Sequence, residues 1–389
     1  MSFKELGLAS YLLNSIAKKE YKKPTQIQEQ AIPVILQGKD VLGIAPTGSG
    51  KTAAYALPIL QNLEGKTKTK NRHINVLVLV PTRELAGQVE EVFKSFSQDL
   101  PFQFKSMAVF GGVSINPQMI GMQHINVLVA TPGRLLELTE SNAMHFDDLS
   151  TLILDEADKM LNLGFKKEMD KVFALLPTHR QNLLFSATLS PEVQKVERVL
   201  LKHPTLIQIE AEKDKLELIN QVGYLVSAER KGPLLRHLIK SNGWRQVLVF
   251  TSSVYQADLV ADKLQKNGIN AQAIHSKKSQ DKRRNGLANF ISGDLCVLVS
   301  TDLLSRGIDI SFLPHVINYE LPRSPKDFVH RIGRTGRAEN PGNAITFVTE
   351  EDQHHFHVIQ KKMKHWIKMI DTETMDLNAT ANPETSSET

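Results

Sequence analysis

The sequence predicts an α/β chain of two tandem domains, each a mostly parallel sheet flanked by helices. Three observations lead there. The chain has 389 residues, more than one hydrophobic core usually organises. Short apolar or β-branched runs alternate with helix-period segments throughout, the pattern of βαβ units. A charged, turn-like stretch, Glu210-Ala-Glu-Lys-Asp-Lys-Leu-Glu217, interrupts that alternation near the middle. Domains over 1–209 and 220–370 follow, with a linker at 210–219 and an acidic, disordered tail at 371–389.

In the first half, strands are expected over 41–45, 76–80, 127–130, 151–154 and 182–185. In the second they are expected over 246–250, 295–300, 315–319 and 344–348. No fixed-period repeat is visible, so the halves resemble each other in pattern only. Phe356, Ile359, Met363, Trp366 and Ile370 recur at three- and four-residue steps, which predicts one amphipathic helix. Its apolar stripe is read as packing on the second domain, in preference to contact with a polyanionic ligand. The segment 64–72 reads as a basic, solvated loop, again in preference to such a contact. Beyond 370 the Ser/Thr/Glu-rich sequence has nothing to bury.

Composition narrows the class. A hydrophobic fraction of 41% is ordinary for a globular protein, and no apolar run approaches the roughly 20 residues that span a bilayer. The start, Met1-Ser2-Phe3-Lys4, lacks the apolar stretch of a secretory leader. One cysteine, Cys296, excludes an internal disulfide framework and fits a reducing cytoplasm; within Leu295-Cys296-Val297 it reads as core, not as a catalytic thiol. His354, His355 and His357 lack cysteine partners or a second ligand cluster and read as solvated. Net charge is +5, yet residues 371–389 hold five acids and no Lys or Arg, leaving about +10 on the rest. That balance suits a polyanionic partner.

The chemistry starts at Ala45-Pro46-Thr47-Gly48-Ser49-Gly50-Lys51-Thr52, after a predicted strand and before a helical pattern. A phosphate chain needs close backbone approach, several N–H donors and a helix N-terminus, which this arrangement provides. Lys51 would reach the β- and γ-phosphates, and the Thr52 hydroxyl would bind Mg²⁺. About 100 residues on, Asp155-Glu156-Ala157-Asp158 follows the apolar run 151–154. At the carboxyl edge of a parallel sheet one carboxylate would serve the metal and the next would orient water. In the second half, His330-Arg331-Ile332-Gly333-Arg334-Thr335-Gly336-Arg337 sets three arginines at three-residue steps among glycines. This reads as guanidinium delivered to phosphate, not as core.

Together these strings resemble the DEAD-box family of superfamily-two helicases, over Phe3 to about Thr349. Ala45 in place of the usual first P-loop glycine is that family's own form. The resemblance implies two RecA-like domains and an RNA helicase with ATP and Mg²⁺ as cofactors. It implies that Lys51, Asp155, Glu156, Arg334 and Arg337 are catalytic, the two arginines serving the γ-phosphate from the second domain. Nucleotide would be held by Tyr21, Gln28, Thr47, Gly48, Ser49, Gly50, Lys51, Thr52 and Asp309. Gln28, in Pro24-Thr25-Gln26-Ile27-Gln28, would read the adenine edge, with Tyr21 stacking on its face and Phe3 supporting the glutamine. Mg²⁺ would sit with Thr52 and, through water, Asp155. Ser186 and Thr188 would couple ATP state to RNA binding through Asp158 or His330.

RNA contacts are implied at Pro81, Thr82, Arg83, Gly111, Gly112, Thr131 and Arg134 in the first domain. In the second they are implied at Arg283, Thr301 and Gly307. Leu303-Leu304-Ser305 is a conservative departure from the family's usual string there. Contacts to phosphate and sugar fix position without reading bases, so RNA binding independent of sequence is expected. The expected activity is RNA-stimulated ATP hydrolysis coupled to local duplex unwinding or ribonucleoprotein remodelling in the cytoplasm. The alternative is an ATP-gated RNA clamp serving as an assembly scaffold, marked by long-lived RNA complexes with little turnover. A DNA translocase, marked by equal stimulation with single-stranded DNA, is disfavoured by the acidic tetrad and Gln28. The compact form and brief tail resemble bacterial RhlE-type members, with no added RNA-binding module expected.

Overall fold

A computed structural model describes residues 1–46, 48–65, 71–209, 219–301, 313–336 and 342–377, apart from the Gln280 side chain. Two compact units divide between Ala211 and Glu212.

The first unit holds strands β1 (Val41–Ile44), β2 (Val76–Leu79), β3 (Ser106–Val109), β4 (Val127–Ala130), β5 (Thr151–Leu154), β6 (Gln181–Ser186) and β7 (Thr205–Gln208). They form one parallel sheet in the order β3-β4-β2-β5-β6-β1-β7. The second unit holds β8 (Ile219–Leu225), β9 (Val247–Thr251), β10 (Ala271–Ile274), β11 (Val297–Thr301), β12 (His315–Asn318), β13 (Gly342–Val348) and β14 (Lys368–Asp371). Its order is β10-β11-β9-β12-β13-β8-β14, also all parallel. Counted within each unit, both orders read 3-4-2-5-6-1-7. The likeness between the halves is therefore one of topology as well as of pattern.

The inner strands β1, β2, β4 and β5 are buried throughout because helices cover both faces of the sheet. Alternate residues enter different cores. Val76, Val78, Val127, Val129, Ile153 and Leu183 pack on one face. Leu77, Leu79, Leu128, Leu152, Leu154 and Leu184 pack on the other. Gly43 permits close strand approach: a Cβ there would lie 2.5 Å from the Phe185 ring.

The nine expected strands are present with ends shifted by a residue or two; β3, β7, β8, β10 and β14 are additional. β3, β7 and β14 are partly exposed edge strands, and β8 is interrupted by Asn220, Gln221 and Gly223, so none gives a continuous apolar signal. Cys296 is half-buried, not fully core, and its thiol donates to the Trp244 carbonyl at 3.3 Å.

Two expectations need correction at the C-terminal end. The single helix through Ile370 stops at Met363. Lys364 turns left-handed at φ 54°, and the Gln360 side-chain oxygen accepts from Ile367 N at 2.8 Å. The chain then enters β14 beside β8. The disordered tail expected from 371 is contradicted over 371–377: Asp371 closes β14, Thr372 is buried with its hydroxyl on the Leu225 carbonyl at 2.8 Å, and Leu377 packs on the core. Position 219 of the expected linker opens β8; positions 210–218, and 378–389 of the tail, lie outside the described residues.

Candidate nucleotide and RNA site

Apart from Tyr21 and Gln28, which precede β1, the candidate groups of the first unit lie at or just after the carboxyl ends of strands, where an open parallel sheet presents its ligand edge. After β1, Gly48 and Gly50 take φ of 76° and 92°, a region nearly closed to other residues. Gly50 caps the helix Lys51–Asn62. A Cβ on Gly50 would lie 2.5 Å from the Gln28 side-chain nitrogen. Gln28 is 1% exposed; its oxygen accepts from Thr25 N at 3.0 Å and its nitrogen donates to the Gly50 carbonyl at 3.2 Å. One amide thus closes a capping box and braces the phosphate loop. Tyr21 is 44% exposed, with its ring edge-on to Phe3 at 6.5 Å and Phe96 at 5.9 Å. Phe3 therefore meets Tyr21 ring to ring, whereas the side-chain hydrogen bonds of Gln28 go to Thr25 and Gly50.

Lys51 folds over its own loop, donating to the carbonyls of Ala45 at 2.7 Å and Pro46 at 2.9 Å. Burial lowers its pKa, and Asp155 and Glu156 oppose that shift. Burial raises both carboxyls, and Lys51 and Lys159 oppose that rise. The Tyr55 hydroxyl donates to Asp155 Oδ2 at 2.8 Å and also hydrogen-bonds Thr52. Asp155 Oδ1 accepts from Glu156 N at 2.9 Å. Glu156 sits left-handed at φ 54°. Its Oε1 receives the buried Lys159 ammonium at 2.5 Å, while its buried Oε2 has no hydrogen-bond partner among the described residues. Asp155 and Glu156 interact electrostatically with Lys51, and their carboxylates with the Thr52 hydroxyl make an all-oxygen donor set of the kind that suits Mg²⁺, so the residues fit the ion.

Thr188 donates to Asp158 Oδ2 at 2.8 Å, and Ser186 donates to the Thr188 carbonyl at 2.8 Å. After β2, the Thr82 hydroxyl caps the helix Arg83–Phe96 by accepting from Leu85 N at 3.3 Å. The Arg83 guanidinium lies against Gly112, where a Cβ would be 2.7 Å away. After β4, Arg134 is 5% exposed, bonded to Glu137 at 2.9 Å and to the Val113 carbonyl at 2.8 Å. Arg83 and Arg134 thereby hold the 111–113 loop beside Pro81 and Thr131.

In the second unit Arg331 departs from expectation. It is 1% exposed, donates to Asn318 Oδ1 at 3.2 Å and the Glu320 carbonyl at 2.6 Å, and lies 5.1 Å over the Phe250 ring. The reading that set all three arginines against phosphate was wrong for this one, which is a core strut. Spacing misled because the helix Pro325–Ile332 ends at the next residue, leaving Arg331 on its inner face. Arg334 follows in the turn, buried, its carbonyl accepting from Leu313 N at 2.9 Å. Thr301 ends β11, Arg283 is buried on the helix Gln280–Ser292, and His330 is in the last turn of the helix Pro325–Ile332. Thr47, Arg306, Gly307, Asp309 and Arg337 lie outside the described residues.

The DEAD/DEAH box helicase model matches residues 25–196, and the helicase conserved C-terminal domain matches 230–339. ATP-dependent RNA helicase CshA of Limosilactobacillus reuteri is 39% identical over 362 residues, covering 93% of this chain and 72% of that protein. The chain belongs to the DEAD-box family of ATP-dependent RNA helicases. Helicobacter pylori RhpA, a DEAD-box ATP-dependent RNA helicase, is 37% identical over 97% of this chain and 75% of its own. Saccharomyces cerevisiae Dbp5 bound to RNA and ADP BeF3 superposes with a TM-score of 0.82 at 29% identity over 96% of both chains. As a DEAD-box helicase the protein is an ATPase acting on RNA, built on two RecA-like domains.

Two residues of this helicase's site escaped the sequence reading. Tyr55 stands three and four positions after Thr52 and Lys51, on the same helix face, but inside an Ala/Leu run it passes for core. Lys159 stands three after Glu156, a spacing that pairs charges on a helix.

Proposed function

We propose that this helicase couples Mg²⁺-dependent, RNA-stimulated ATP hydrolysis to local, sequence-independent separation of RNA duplexes in the cytoplasm. The carrying observation is Glu156: a carboxylate held by Lys159 through one oxygen, with a buried second oxygen left to accept a proton or orient water. Lys51 is the cation for the β- and γ-phosphates once nucleotide draws it from the Ala45 and Pro46 carbonyls. Gln28 and Tyr21 serve adenine, and Asp309 the ribose. Mg²⁺, held by Thr52 and through water by Asp155, would neutralise phosphate charge as a Lewis acid. Arg334 and Arg337 would stabilise charge on the transferring phosphoryl group, a contribution on the order of 10³-fold or more in related systems. The Asp158–Thr188 bond supports a coupling role for Ser186, Thr188 and His330. RNA bound to a closed state must strengthen ATP binding equally. Arg83, Gly112, Thr131, Arg134, Arg283, Thr301 and Gly307 form the RNA set, consistent with the RNA and ADP BeF3 named for Dbp5.

The test is Glu156→Gln in the full chain. ATP and RNA binding are expected to persist while steady-state hydrolysis falls on the order of 10²-fold or more; unchanged hydrolysis would remove Glu156 from the reaction.

A further inference from the structure

The end of the second unit carries a surface that the RNA set above leaves unused. Trp366 is 62% exposed and takes no part in the core built by Phe356, Ile359 and Ile367. Its ring lies 5.1 Å from that of His357. On the helix Gln353–Met363 and its cap, positions 354, 357, 361 and 364 follow one another by three or four residues and so share a side. His354, His357, Lys361 and Lys364 on that side are exposed, as is Lys368 two residues beyond Trp366. Residues 353–370 hold four lysines, four histidines and no Asp or Glu. Glu350, Glu351 and Asp352 lie at the other end of the helix, about 16 Å away at 1.5 Å per residue.

We propose that the His357–Trp366 ring pair, with Lys361, Lys364 and Lys368, forms an accessory contact for single-stranded RNA that acts without ATP. Two physical points favour a nucleic acid over a protein or lipid occupant. An exposed indole among ammonium groups offers a base-stacking face with phosphate partners beside it, the combination that binds single strands without sequence preference. A helix meant for a lipid surface would instead bury a broad apolar face, whereas here the apolar face is already spent on the core. The left-handed Lys364 is what separates Trp366 from the inward stripe, leaving the indole outside. The inference rests on RNA being this helicase's substrate.

The experiment measures binding of the full chain to fluorescein-labelled U20 without nucleotide across a salt series. Trp366→Ala is expected to weaken binding on the order of 10-fold, with Trp366→Phe retaining most of it. Lys361→Gln/Lys364→Gln/Lys368→Gln is expected to reduce the log–log salt slope by about 2, since each single-strand phosphate contact contributes about 0.7. ATPase without RNA is expected to be unchanged in both. Affinity and slope equal to the parent's in both variants would overturn the inference. So would loss of binding to phosphatidylglycerol vesicles with U20 binding intact, or a defect seen only with an ATP analogue present. Should Trp366→Ala unfold, the lysine variant decides alone. A parent chain that binds no RNA in any nucleotide state would defeat the function reading itself, a result separable from variants that merely match a binding parent.

Discussion

The Tyr55 hydroxyl donates to Asp155 Oδ2 at 2.8 Å, with both side chains buried. Because Glu156 N holds the other carboxylate oxygen, the pair of donors fixes the plane in which Asp155 meets the phosphate loop. Groups that orient a ligand in this way typically change metal affinity 10- to 100-fold when removed. Tyr55→Phe is therefore expected to raise the Mg²⁺ concentration needed for half-maximal binding of a fluorescent ADP by about 10-fold. Binding in EDTA should stay unchanged, and the effect should disappear in an Asp155→Asn background. An unaltered Mg²⁺ curve would reduce Tyr55 to packing.

Gln28 and Gly50 are expected to behave as a unit. Gln28→Ala removes an amide that serves both the capping box and the loop, costing about 0.5–1.5 kcal/mol of stability for each hydrogen bond lost. It is also expected to narrow the preference for ADP over GDP in equilibrium titrations. Gly50→Ala alone pushes a methyl into that amide and forces a residue into φ near 92°. The double variant should bind ADP better than the sum of the two single losses predicts, because space has been opened. Strict additivity would contradict the contact.

Arg331 and Arg334 are expected to separate stability from chemistry. Arg331→Met orphans Asn318 Oδ1 and the Glu320 carbonyl, at about 1–3 kcal/mol for each acceptor left unmade. Both tryptophans, Trp244 and Trp366, belong to the second unit, so urea unfolding followed by tryptophan emission reads this loss directly. ADP binding to the first unit should persist. For Arg334→Ala the expectation is slower RNA-stimulated hydrolysis.

His315 stacks on Trp244 at 4.4 Å with planes 18° apart, and burial lowers its pKa to about 4. Its folded value lies below the ordinary 6.5, so between these values the unfolded chain binds more protons and stability rises with pH. Its contribution is present above 6.5 and is lost as pH falls towards 4. The urea midpoint of the tryptophan-monitored transition should drop between pH 7 and pH 5, and His315→Gln should shallow that drop. An equal slope in both proteins would assign the pH dependence elsewhere.

What could be read from the chain depended on how local the signal was. The Gly48–Thr52 loop and the acidic tetrad are contiguous, and the elements flanking them are central strands buried on both faces; they were legible. Partly exposed strands such as β7 and β14 were not, since half their residues face water. Trp366 matched a helical step, yet one left-handed residue at 364 redirected it, and a single backbone angle leaves no trace in hydrophobic periodicity. Arg331 shows the converse: a charge among charges looked functional, and only Asn318, Glu320 and Phe250, brought near by the fold, make it structural. The Tyr55–Asp155 bond spans 100 residues and has no local signature.

The shared 3-4-2-5-6-1-7 wiring bears on stoichiometry. The turn after β8 corresponds to the phosphate loop after β1, and the helix behind it, Lys231–Ser241, likewise opens on a lysine. Yet Ser227-Ala228-Glu229-Arg230 replaces the glycines there, and the Lys231 ammonium is drawn to Asp352 at 3.8 Å and to the Tyr319 ring. Among the described residues the duplicated scaffold thus repeats the lysine without the glycine loop that gives a phosphate close backbone approach.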